Sequence, residues 1–505
     1  MKIIIVGGGT AGWLTAALAL SLTEHEVTVI ESTKIGIIGV GESTTGFFTD
    51  LFSHDLRGLG LDHDRFLIET GATCKLGIRH RSWTADPRHS YFGPLDGTAT
   101  QFAVPDTLLQ WSLRNLPAED LIKTSHTGYL IRHGLSNIGH TRQFTQHGHA
   151  MHIDGGKTGK YFSKHCLTNP RCSTIDTEVL GIHKDQQGLI TELICSDGFK
   201  VSGDLFIDCT GFSRQLITDM GARWISYRQW LPVDRGMPFL ENYGEYELPE
   251  AWTTAWAQPN GWMWTTPLMD RRGNGYVYSS DHITDDQAQA EIEEQLGRPI
   301  TPVKIIKFDA GRQDRAWIGN CVSIGLSSSF LEPLEATSIH TTICQIKMLF
   351  NEYTGTTLAQ TMNPANISVY NRRWGNQLDD LRDFLVMHYQ GGRQDSEFWR
   401  YVSSGATRTD FVQELLTMSR DRVPSFNDFP RYWGVAGWSL YSWIMSGLGL
   451  FKDTPINLSI DQQLDQESLY RNLQQEFAQR YSQNRSHEQY IQLYRNLRSE
   501  HLAQV

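Results

Sequence analysis

The chain has 505 residues, of which 40% are hydrophobic and 20% charged, a composition typical of a globular protein with two or more domains. Its net charge is −11 and no cluster of Lys and Arg marks a basic face, which argues against a nucleic-acid partner. The seven cysteines are scattered without C-x-x-C or metal-ligand spacing, which predicts reduced thiols in a cytoplasmic protein.

An uncharged segment, Ile3 to Leu22, stands near the start and has the hydropathy of a membrane span or a signal peptide. The glycine-rich turn in its first half favours a different structure. Lys2 to Val6 predicts a buried strand, and Trp13 to Leu22, which is rich in Ala and Leu, predicts a helix. We therefore predict no membrane span.

The same segment predicts dinucleotide binding. Gly7 to Gly12 match G-x-G-x-x-G between strand and helix, and Glu26 to Ile30 predicts a second strand. Glu31 follows Gly12 by nineteen residues, where an acid is expected to accept hydrogen bonds from ribose hydroxyls. An acid there also repels the 2′-phosphate of NADP.

Cofactor contacts are predicted in this turn and in the loop after the second strand. Gly9 lets the backbone approach a pyrophosphate at the amino end of the helix. The loop from Gly36 to Gly46 holds four glycines in eleven residues, which indicates passage close to a ligand. The predicted cofactor-binding residues of these two segments are Gly7, Gly9, Thr10, Ala11, Gly12, Glu31, Gly39 and Val40.

Histidines recur in the next part of the chain, at His126, His133, His140, His147, His149 and His152. Such a series could hold a metal ion. However, four glycines interrupt any long helix through it, and no carboxylate or cysteine joins the set. We predict no metal site.

The middle of the chain predicts a return to the first sheet. Val179 to Val201 predicts hairpin strands, and the apolar run Asp204 to Asp208 predicts a strand of the nucleotide-binding sheet. Trp317 to Leu326 predicts another buried strand. Asp208 and Leu326, at the ends of the last two strands, are further predicted cofactor contacts.

A mixed sheet and a long helix complete the predicted elements. Residues 220–310 predict the mixed sheet, and Leu334 to Phe350 predicts the helix. From about Asn363 onward the chain predicts helices with few strands.

Two tryptophans stand out in the stretch GWMWTTPL, Gly261 to Leu268. In a strand, Trp262 and Trp264 would point to the same face and form one indole wall. The pattern alone is compatible with core packing and with guarding a site.

Five motifs occur in order along the chain: Gly7–Gly12, GVGEST at Gly39–Thr44, DLFIDCTGFSRQLI at Asp204–Ile217, GWMWTTPL, and FLEPLEATSI at Phe330–Ile339. Together they resemble the flavin-dependent halogenases, the group that includes the tryptophan halogenases, over roughly residues 1–450. The resemblance implies an α/β fold with a Rossmann-type FAD-binding unit of the flavin monooxygenase type. The implied division is an FAD-binding domain at 1–360, with a mixed substrate sheet inserted around 80–310. A helical region at 361–505 would complete the substrate pocket.

The resemblance implies an FADH2-dependent halogenase. A separate NAD(P)H-dependent flavin reductase would supply reduced FAD. With O2 the flavin would form a C4a-hydroperoxide, which converts chloride, bromide or iodide into hypohalous acid. In a second pocket a lysine would direct this acid at a small aromatic substrate, and a homodimer is compatible with the resemblance.

Catalytic roles follow from the resemblance for two residues. Lys75 occupies the position of the family's lysine, whose ammonium would hydrogen-bond hypohalous acid or form a haloamine. Glu335 occupies the position of the partner carboxylate, which would accept the ring proton or orient the lysine. Glu332, one helical turn earlier, is the alternative. Taken without the resemblance, Lys75 would be interpreted as a surface lysine.

The resemblance also places a halide site and gives the tryptophan pair a role. The backbone amides of Thr337 and Ser338 would bind halide at a helix start. The family usually has EST-Gly there, whereas here Ser338 stands in the position of the glycine. Trp262 and Trp264 match W-x-W-x-I-P, with Thr266 in place of Ile, and would keep the aromatic substrate away from the flavin.

An aromatic cluster suggests the substrate class. It consists of Tyr432, Trp433, Trp438, Tyr441 and Trp443, with Phe92 as an upstream ring partner. Such rings could stack an indole or a phenol, or could be core. We predict an indole or another electron-rich aromatic as substrate.

Two other functions remain as alternatives. A single-component FAD-dependent aromatic hydroxylase would accept NAD(P)H directly. A non-enzymatic FAD-binding protein would show no activity that depends on Lys75.

Overall fold

The computed structural model describes residues 1–36, 39–95, 105–140, 149–429, 437–455 and 458–504. Its strands are β1 Lys2–Val6, β2 Glu26–Glu31, β3 Glu42–Ser43, β4 Thr73–Lys75, β5 Gly77–Arg81, β6 Ser90–Pro94, β7 Leu135–Gly139, β8 Ala150–Ile153, β9 Cys172–Asp176, β10 Val179–Lys184, β11 Ile190–Cys195, β12 Lys200–Ser202, β13 Leu205–Asp208, β14 Trp224–Ser226, β15 Arg235–Asn242, β16 Trp252–Gln258, β17 Gly261–Pro267, β18 Arg271–Tyr278, β19 Ile306–Lys307, β20 Gly311–Gln313, β21 Trp317–Ile318, β22 Cys321–Ser323, β23 Ser329–Phe330 and β24 Asn484–Ser486. Its α-helices are α1 Thr10–Leu22, α2 Gly46–Ser53, α3 His63–Thr70, α4 Pro105–Asn115, α5 His126–Arg132, α6 Gly155–Cys166, α7 Gln215–Asp219, α8 Asp285–Leu296, α9 Thr337–Met348, α10 Leu358–Thr361, α11 Pro364–His388, α12 Glu397–Val402, α13 Asp410–Met418, α14 Trp438–Gly447, α15 Ile460–Arg480 and α16 His487–Leu502.

The chain divides into two compact units, each made of three separate segments. The first unit contains residues 1–72, 153–227 and 308–379, and the second contains residues 73–152, 228–307 and 380–505.

The main sheet of the first unit has the order β21-β22-β13-β1-β2-β9 and is parallel except for β21. β1 lies between β13 and β2, where Ile4 is paired with Phe206 on one side and Thr28 on the other. The isoleucines of β1 are fully buried, as expected for a strand with both faces covered. With α1 between β1 and β2, this is the predicted strand–helix–strand unit.

The apolar start of the chain is therefore a strand and a buried helix. α1 has 13 residues and the tight turn separates it from β1. Among the described residues, no helix is long and apolar enough to cross a membrane.

Residues 153–227 differ from the predicted layout. They lie within the range 80–310 where one insertion is predicted, yet they belong to the first unit. The physical reason is strand pairing, because β13 hydrogen-bonds to β1 and closes the parallel sheet. The hairpin predicted at Val179–Val201 is confirmed as β10, β11 and β12.

The second unit contains the predicted mixed sheet. Its order is β19-β15-β18-β17-β16-β5-β6, and the β16–β5 pair is parallel while its other pairs are antiparallel. One face buries Met237, Met263 and Tyr276 against Ile292 of α8. This apolar layer fixes the register of β17, which carries the tryptophan pair.

Two predicted elements are shorter than expected. The strand predicted at Trp317–Leu326 is interrupted after β21, because Gly319 has a φ of +55° and turns the chain. The helix predicted from Leu334 begins only at Thr337, because Glu335 and Ala336 adopt left-handed backbone conformations.

The C-terminal part is helical, as predicted. α15 packs on α4 in the second unit, where Leu473 and Phe477 contact a core that includes Leu108 and Trp111.

Candidate functional site

The turn after β1 is too tight for side chains at two of its glycines. Gly7 has a φ of +119°, and a Cβ there would overlap the carbonyl oxygen of Cys209. A Cβ at Gly12 would overlap the carbonyl oxygen of Gly7. The turn and the first turn of α1 thus require glycine at both positions.

Gly9 shows that this turn fits a dinucleotide. A Cβ added at Gly9 would meet no atom within 4 Å, so the backbone faces open space at the amino end of α1. The first N–H groups of the helix have no side-chain cap there, which is the arrangement that binds a pyrophosphate.

Neighbouring segments hold Thr10 and Ala11 in place. The Thr10 hydroxyl donates to the carbonyl oxygen of Gly155, 3.1 Å away, at the start of α6. A Cβ at Gly325 would lie 2.8 Å from the Cβ of Ala11, so the turn that contains Leu326 lies against α1. Leu326 is half-buried beside this contact.

Glu31 ends β2 and is already oriented within the protein. Its Oε2 accepts a hydrogen bond from the indole N–H of Trp13 at 3.1 Å, and Thr174 donates to Oε1 at 3.5 Å. A Cβ at Gly8 would overlap this carboxylate. The acid therefore lies beside the glycine turn, as its predicted contact with ribose requires.

Asp208 has a structural role that sequence reasoning did not foresee. It is fully buried, and its carboxylate accepts hydrogen bonds from Thr210 N–H, from the Thr210 hydroxyl and from Ile217 N–H at 2.7–2.9 Å. Burial raises the pKa of Asp208, while these donors oppose the shift. Asp208 thus organises the turn into α7, and its contact with a cofactor stays a prediction.

The second glycine loop lies against the start of α6. A Cβ at Gly39 would lie 3.2 Å from Oδ1 of Asp154, and Val40 is buried. A Cβ at Gly155 would overlap the carboxylate of Glu42. Burial, and then the nearby Asp154 carboxylate, raise the pKa of Glu42 to about 7. Ile37 and Ile38 of this loop lie outside the described residues.

The end of this loop is joined to α9. Thr45 Oγ1 and His340 Nδ1 are 2.8 Å apart, and Phe47 packs edge-on to the imidazole at 4.7 Å. Cys344 Sγ lies 3.4 Å from Nε2 of the same ring. Burial lowers the pKa of His340 to about 4, so the ring is neutral near pH 7. The cofactor loop and the predicted halide helix are therefore connected within one unit.

The amino end of α9 carries the predicted halide residues. Thr337 and Ser338 are the first two residues of the helix, and no side chain caps it. Their N–H groups therefore lie in the first turn, where backbone donors are free for an anion. Ser338 is helical, so it does not need the backbone freedom of the glycine that the family usually has there.

The left-handed residues lie just before this helix. Glu335 has φ/ψ of 64°/10° and Ala336 has 57°/37°. Non-glycine residues in this region cost roughly 1–2 kcal/mol each, and such strain is concentrated at functional sites. Glu335 is half-buried, whereas its alternative Glu332 is fully buried.

Lys75 is not a surface lysine. It ends β4, is paired with Ala150 of β8, and its exposed fraction is 0%. His152, in the same pair of strands, is held by the hydroxyls of Thr73 and Thr253, each 3.0 Å away. Burial, and then the Lys75 ammonium, keep the pKa of His152 well below its ordinary value.

The tryptophan wall is present in β17. Trp262 and Trp264 have ring centroids 6.4 Å apart, and Trp83 extends the row at 6.3 Å from Trp262. A Cβ at Gly275 would overlap the indole of Trp264, so the ring packs directly on Gly275 of β18. Both tryptophans are buried, and Thr266 is buried too.

Part of the predicted aromatic cluster is core. Tyr441 is buried among Phe384, Phe411 and Phe429, with centroids 5.0–5.9 Å away. Tyr432 and Trp433 lie outside the described residues.

Two members of the cluster line a cavity. Phe92 and Trp443 are both part of the lining of this cavity, and Phe92 packs edge-on to Trp252 with ring centroids 5.2 Å apart.

The described histidines of the sequence series have separate partners. His126 lies 2.8 Å from the Tyr481 hydroxyl, and His149 lies 3.2 Å from the Asn137 amide. His133 stacks on Tyr129 at 4.1 Å. His147 and Gly148 lie outside the described residues.

Sequence reasoning missed Trp13, Glu42 and His340. Glu42 was visible inside GVGEST, and His340 follows Thr337 by three residues, which is one helical turn. Helical spacing could therefore have indicated His340. No signal in the sequence pairs Trp13 with Glu31.

A family model described as tryptophan halogenase matches residues 2–459. The chain belongs to the tryptophan halogenase family. It is therefore an enzyme, a flavin-dependent halogenase, and this membership favours halogenation over the hydroxylase alternative.

Relatives in the family match along most of the chain. The 7-chloro-L-tryptophan 6-halogenase KtzR of Kutzneria sp. (strain 744) is 31% identical, over 90% of this chain and 92% of the relative. The tryptophan 6-halogenase SttH of Streptomyces toxytricini is 32% identical, over 89% of each. The solved tryptophan halogenase from Shewanella frigidimarina NCIMB 400 superposes with a TM-score of 0.88 at 26% identity, covering 99% of this chain and 98% of that one. These family matches confirm the predicted fold class.

Proposed function

We propose that the chain halogenates an indole ring and that tryptophan is the first substrate to test. The relatives named above are tryptophan halogenases, which supports an indole substrate over other electron-rich aromatics. Chloride, bromide or iodide would be the halide, and O2 the oxidant.

The buried Lys75 is the observation that carries this proposal. Removing an ammonium from water is costly, and such a group is retained where its charge or its reactivity is used. We assign Lys75 the task of binding hypohalous acid and directing the halogen at the ring.

The other site residues have distinct proposed tasks. The Thr337 and Ser338 N–H groups bind halide, and the Glu335 carboxylate accepts the ring proton as aromaticity returns. Trp262 and Trp264 form the barrier that excludes the aromatic substrate from the flavin.

FADH2, when bound, would supply two electrons to O2, so that halide, O2, FADH2 and a proton give hypohalous acid, FAD and water. We propose that the turn Gly7–Gly12 holds its pyrophosphate and Glu31 its ribose, with Gly39 and Val40 alongside and Asp208 and Leu326 as further contacts. A separate NAD(P)H-dependent flavin reductase would deliver FADH2. The scattered free thiols favour a cytoplasmic location.

The test is an incubation of the protein with FAD, a flavin reductase, NADH and tryptophan or indole, under chloride, bromide and iodide separately. We expect a halogenated product by mass spectrometry. The Lys75→Ala variant should form this product at a rate reduced more than 100-fold while it still binds FAD. The Lys200→Ala variant, changed at an exposed lysine, should form product at the wild-type rate. Oxygenated product alone, or NADPH oxidation without the reductase, would contradict the proposal.

A further inference from the structure

A cavity of about 170 Å³ lies beside the edge strand β6, and all its walls belong to the second unit. Its lining includes Arg79, Tyr91, Phe92, Arg132, Trp443 and Ser446. An engineered cavity of about 150 Å³ is large enough for benzene, so one aromatic ring fits here. Phe92 and Trp443 provide the aromatic surface that a flat ring prefers.

Two buried polar atoms in the lining of the cavity lack a hydrogen-bond partner. Among the described residues, neither Nε of Arg79 nor Oγ of Ser446 has a hydrogen bond, although both atoms are buried. An unsatisfied buried donor costs roughly 1–3 kcal/mol, and more when it is charged. A ligand with hydrogen-bond acceptors near both atoms would therefore form hydrogen bonds that these two donors lack in the free protein.

The charged residues around the cavity favour a ligand with a single negative charge. The Arg79 guanidinium lies 5.9 Å from the Phe92 ring centre, whereas Arg132 already donates to Asp120 at 3.1 Å. Asp120 also pairs with Lys123 at 2.9 Å. The exposed acid Glu119 stands in the lining and would repel a second negative charge. A carboxylate is thus preferred over a phosphate dianion.

The cavity is separate from the tryptophan wall. Arg79 is paired with Phe92 across β5 and β6, so both side chains share one face of the sheet. His80 points to the opposite face of the sheet. There its ring centroid lies 6.0 Å from that of Trp83, which in turn contacts Trp262 of the tryptophan wall. Lys75 does not belong to the described lining of the cavity.

We propose that this cavity binds a small planar aromatic carboxylate. The carboxylate accepts hydrogen bonds from Arg79 Nε–H and from the Ser446 hydroxyl, and the ring lies between Phe92 and Trp443. This site goes beyond the halogenation proposed above and does not depend on it. Its ligand is an aromatic acid separate from the halogenated substrate, because the cavity lies on the sheet face opposite the one that leads to the tryptophan wall.

Calorimetric titration of the FAD-bound protein with benzoate tests the site without halide or reductase. We expect binding of benzoate, and at least tenfold weaker binding of neutral benzamide and of inorganic phosphate. Arg79→Gln should weaken benzoate binding at least tenfold. Arg81→Gln is the matched control, because Arg81 is on the same strand, lies 4.1 Å from the Trp256 ring centre and is not in the lining.

Ser446→Leu fills the cavity and should abolish benzoate binding, with melting curves used to confirm that each variant is folded. Should Arg79→Gln not fold, Ser446→Leu and the benzamide comparison decide alone. Absence of benzoate binding in the wild type, or equal affinity in wild type and the folded variants, would overturn the proposal.

Competition separates this cavity from the halogenation site. Because the cavity is separate from the tryptophan wall, indole at a concentration that saturates halogenation should not displace benzoate. Displacement of benzoate by indole would place the substrate in this cavity and overturn the proposal. A failure of halogenation itself leaves the benzoate titration readable.

Discussion

Thr45 Oγ1 and His340 Nδ1 are 2.8 Å apart, so one hydrogen bond ties the loop beside the glycine turn to the first turn of α9. His340 is neutral near pH 7, because burial lowers its pKa to about 4. This contact joins the segment proposed for FAD to the helix proposed for halide.

Thr45→Val should weaken both ligands. The change removes the hydroxyl and leaves Nδ1 of the buried imidazole without this partner, at a cost of about 1 kcal/mol, or roughly a fivefold change in an equilibrium. We expect a severalfold higher Kd for FAD and a higher KM for bromide. Fluorescence titration and steady-state kinetics measure these, with Thr356→Val, at an exposed threonine of the same unit, as control. Unchanged values for both ligands would argue against the link.

Ala336→Gly should stabilise the protein. Ala336 has a φ of 57°, where alanine is strained and glycine is not. We expect the free energy of unfolding to rise by about 1 kcal/mol in denaturant titrations. Ala290→Gly, in the exposed interior of α8, should instead lower it by about 1 kcal/mol. Equal destabilisation by both changes would refute the strain at Ala336.

Glu42 should make stability depend on pH in the FAD-free protein. Its pKa rises from 4.5 to about 7 in the folded chain, so the folded state holds the proton more tightly than the unfolded state. Stability from this group is therefore greatest below pH 4.5, falls as pH rises to about 7 and is constant above. Glu42→Gln should remove this slope. From pH 4.5 to pH 7.5, the free energy of unfolding of the variant, measured in urea, should rise relative to that of the wild type by at most about 3 kcal/mol. Parallel stability curves would contradict the shift.

Gly275→Ala should displace the tryptophan wall. The added methyl group would overlap the Trp264 indole, and overpacking of this kind costs about 1–3 kcal/mol. Gly236→Ala, in the same sheet, places its Cβ 3.9 Å from Ile306 and should cost less. Trp264→Phe introduced together with Gly275→Ala should recover part of the loss. If the destabilisations caused by the two changes are additive, the added methyl group does not clash with the Trp264 ring.

Local pattern predicted the parts of the fold that are local in sequence. The strand, turn and helix around Gly7–Gly12 follow from glycine spacing and apolar runs, because each forms within about twenty residues. The apolar run Asp204–Asp208 also predicted a return to the first sheet. Its pairing with β1 joins segments about 200 residues apart, and the assignment of all of residues 153–227 to the first unit follows only from the assembled structure.

Side-chain environment was less predictable than position. The resemblance gave Lys75 and Glu335 as residues, but neither the complete burial of Lys75 nor the left-handed backbone of Glu335 follows from the sequence. Both depend on what surrounds the chain in three dimensions. That a serine is tolerated at position 338 could not be judged either, since the left-handed residues are Glu335 and Ala336, just before the helix.

The hydrogen bond from Trp13 to Glu31 carries a thermodynamic consequence. A glutamate side chain that is free in water loses rotamer freedom when it binds a ligand, which costs roughly 0.5–1.5 kcal/mol of binding free energy. Here that ordering occurs when the chain folds, since the indole N–H holds the carboxylate in one rotamer. For the ribose contact proposed for Glu31, the affinity for a dinucleotide would therefore depend in part on preorganisation by Trp13, on the first turn of α1.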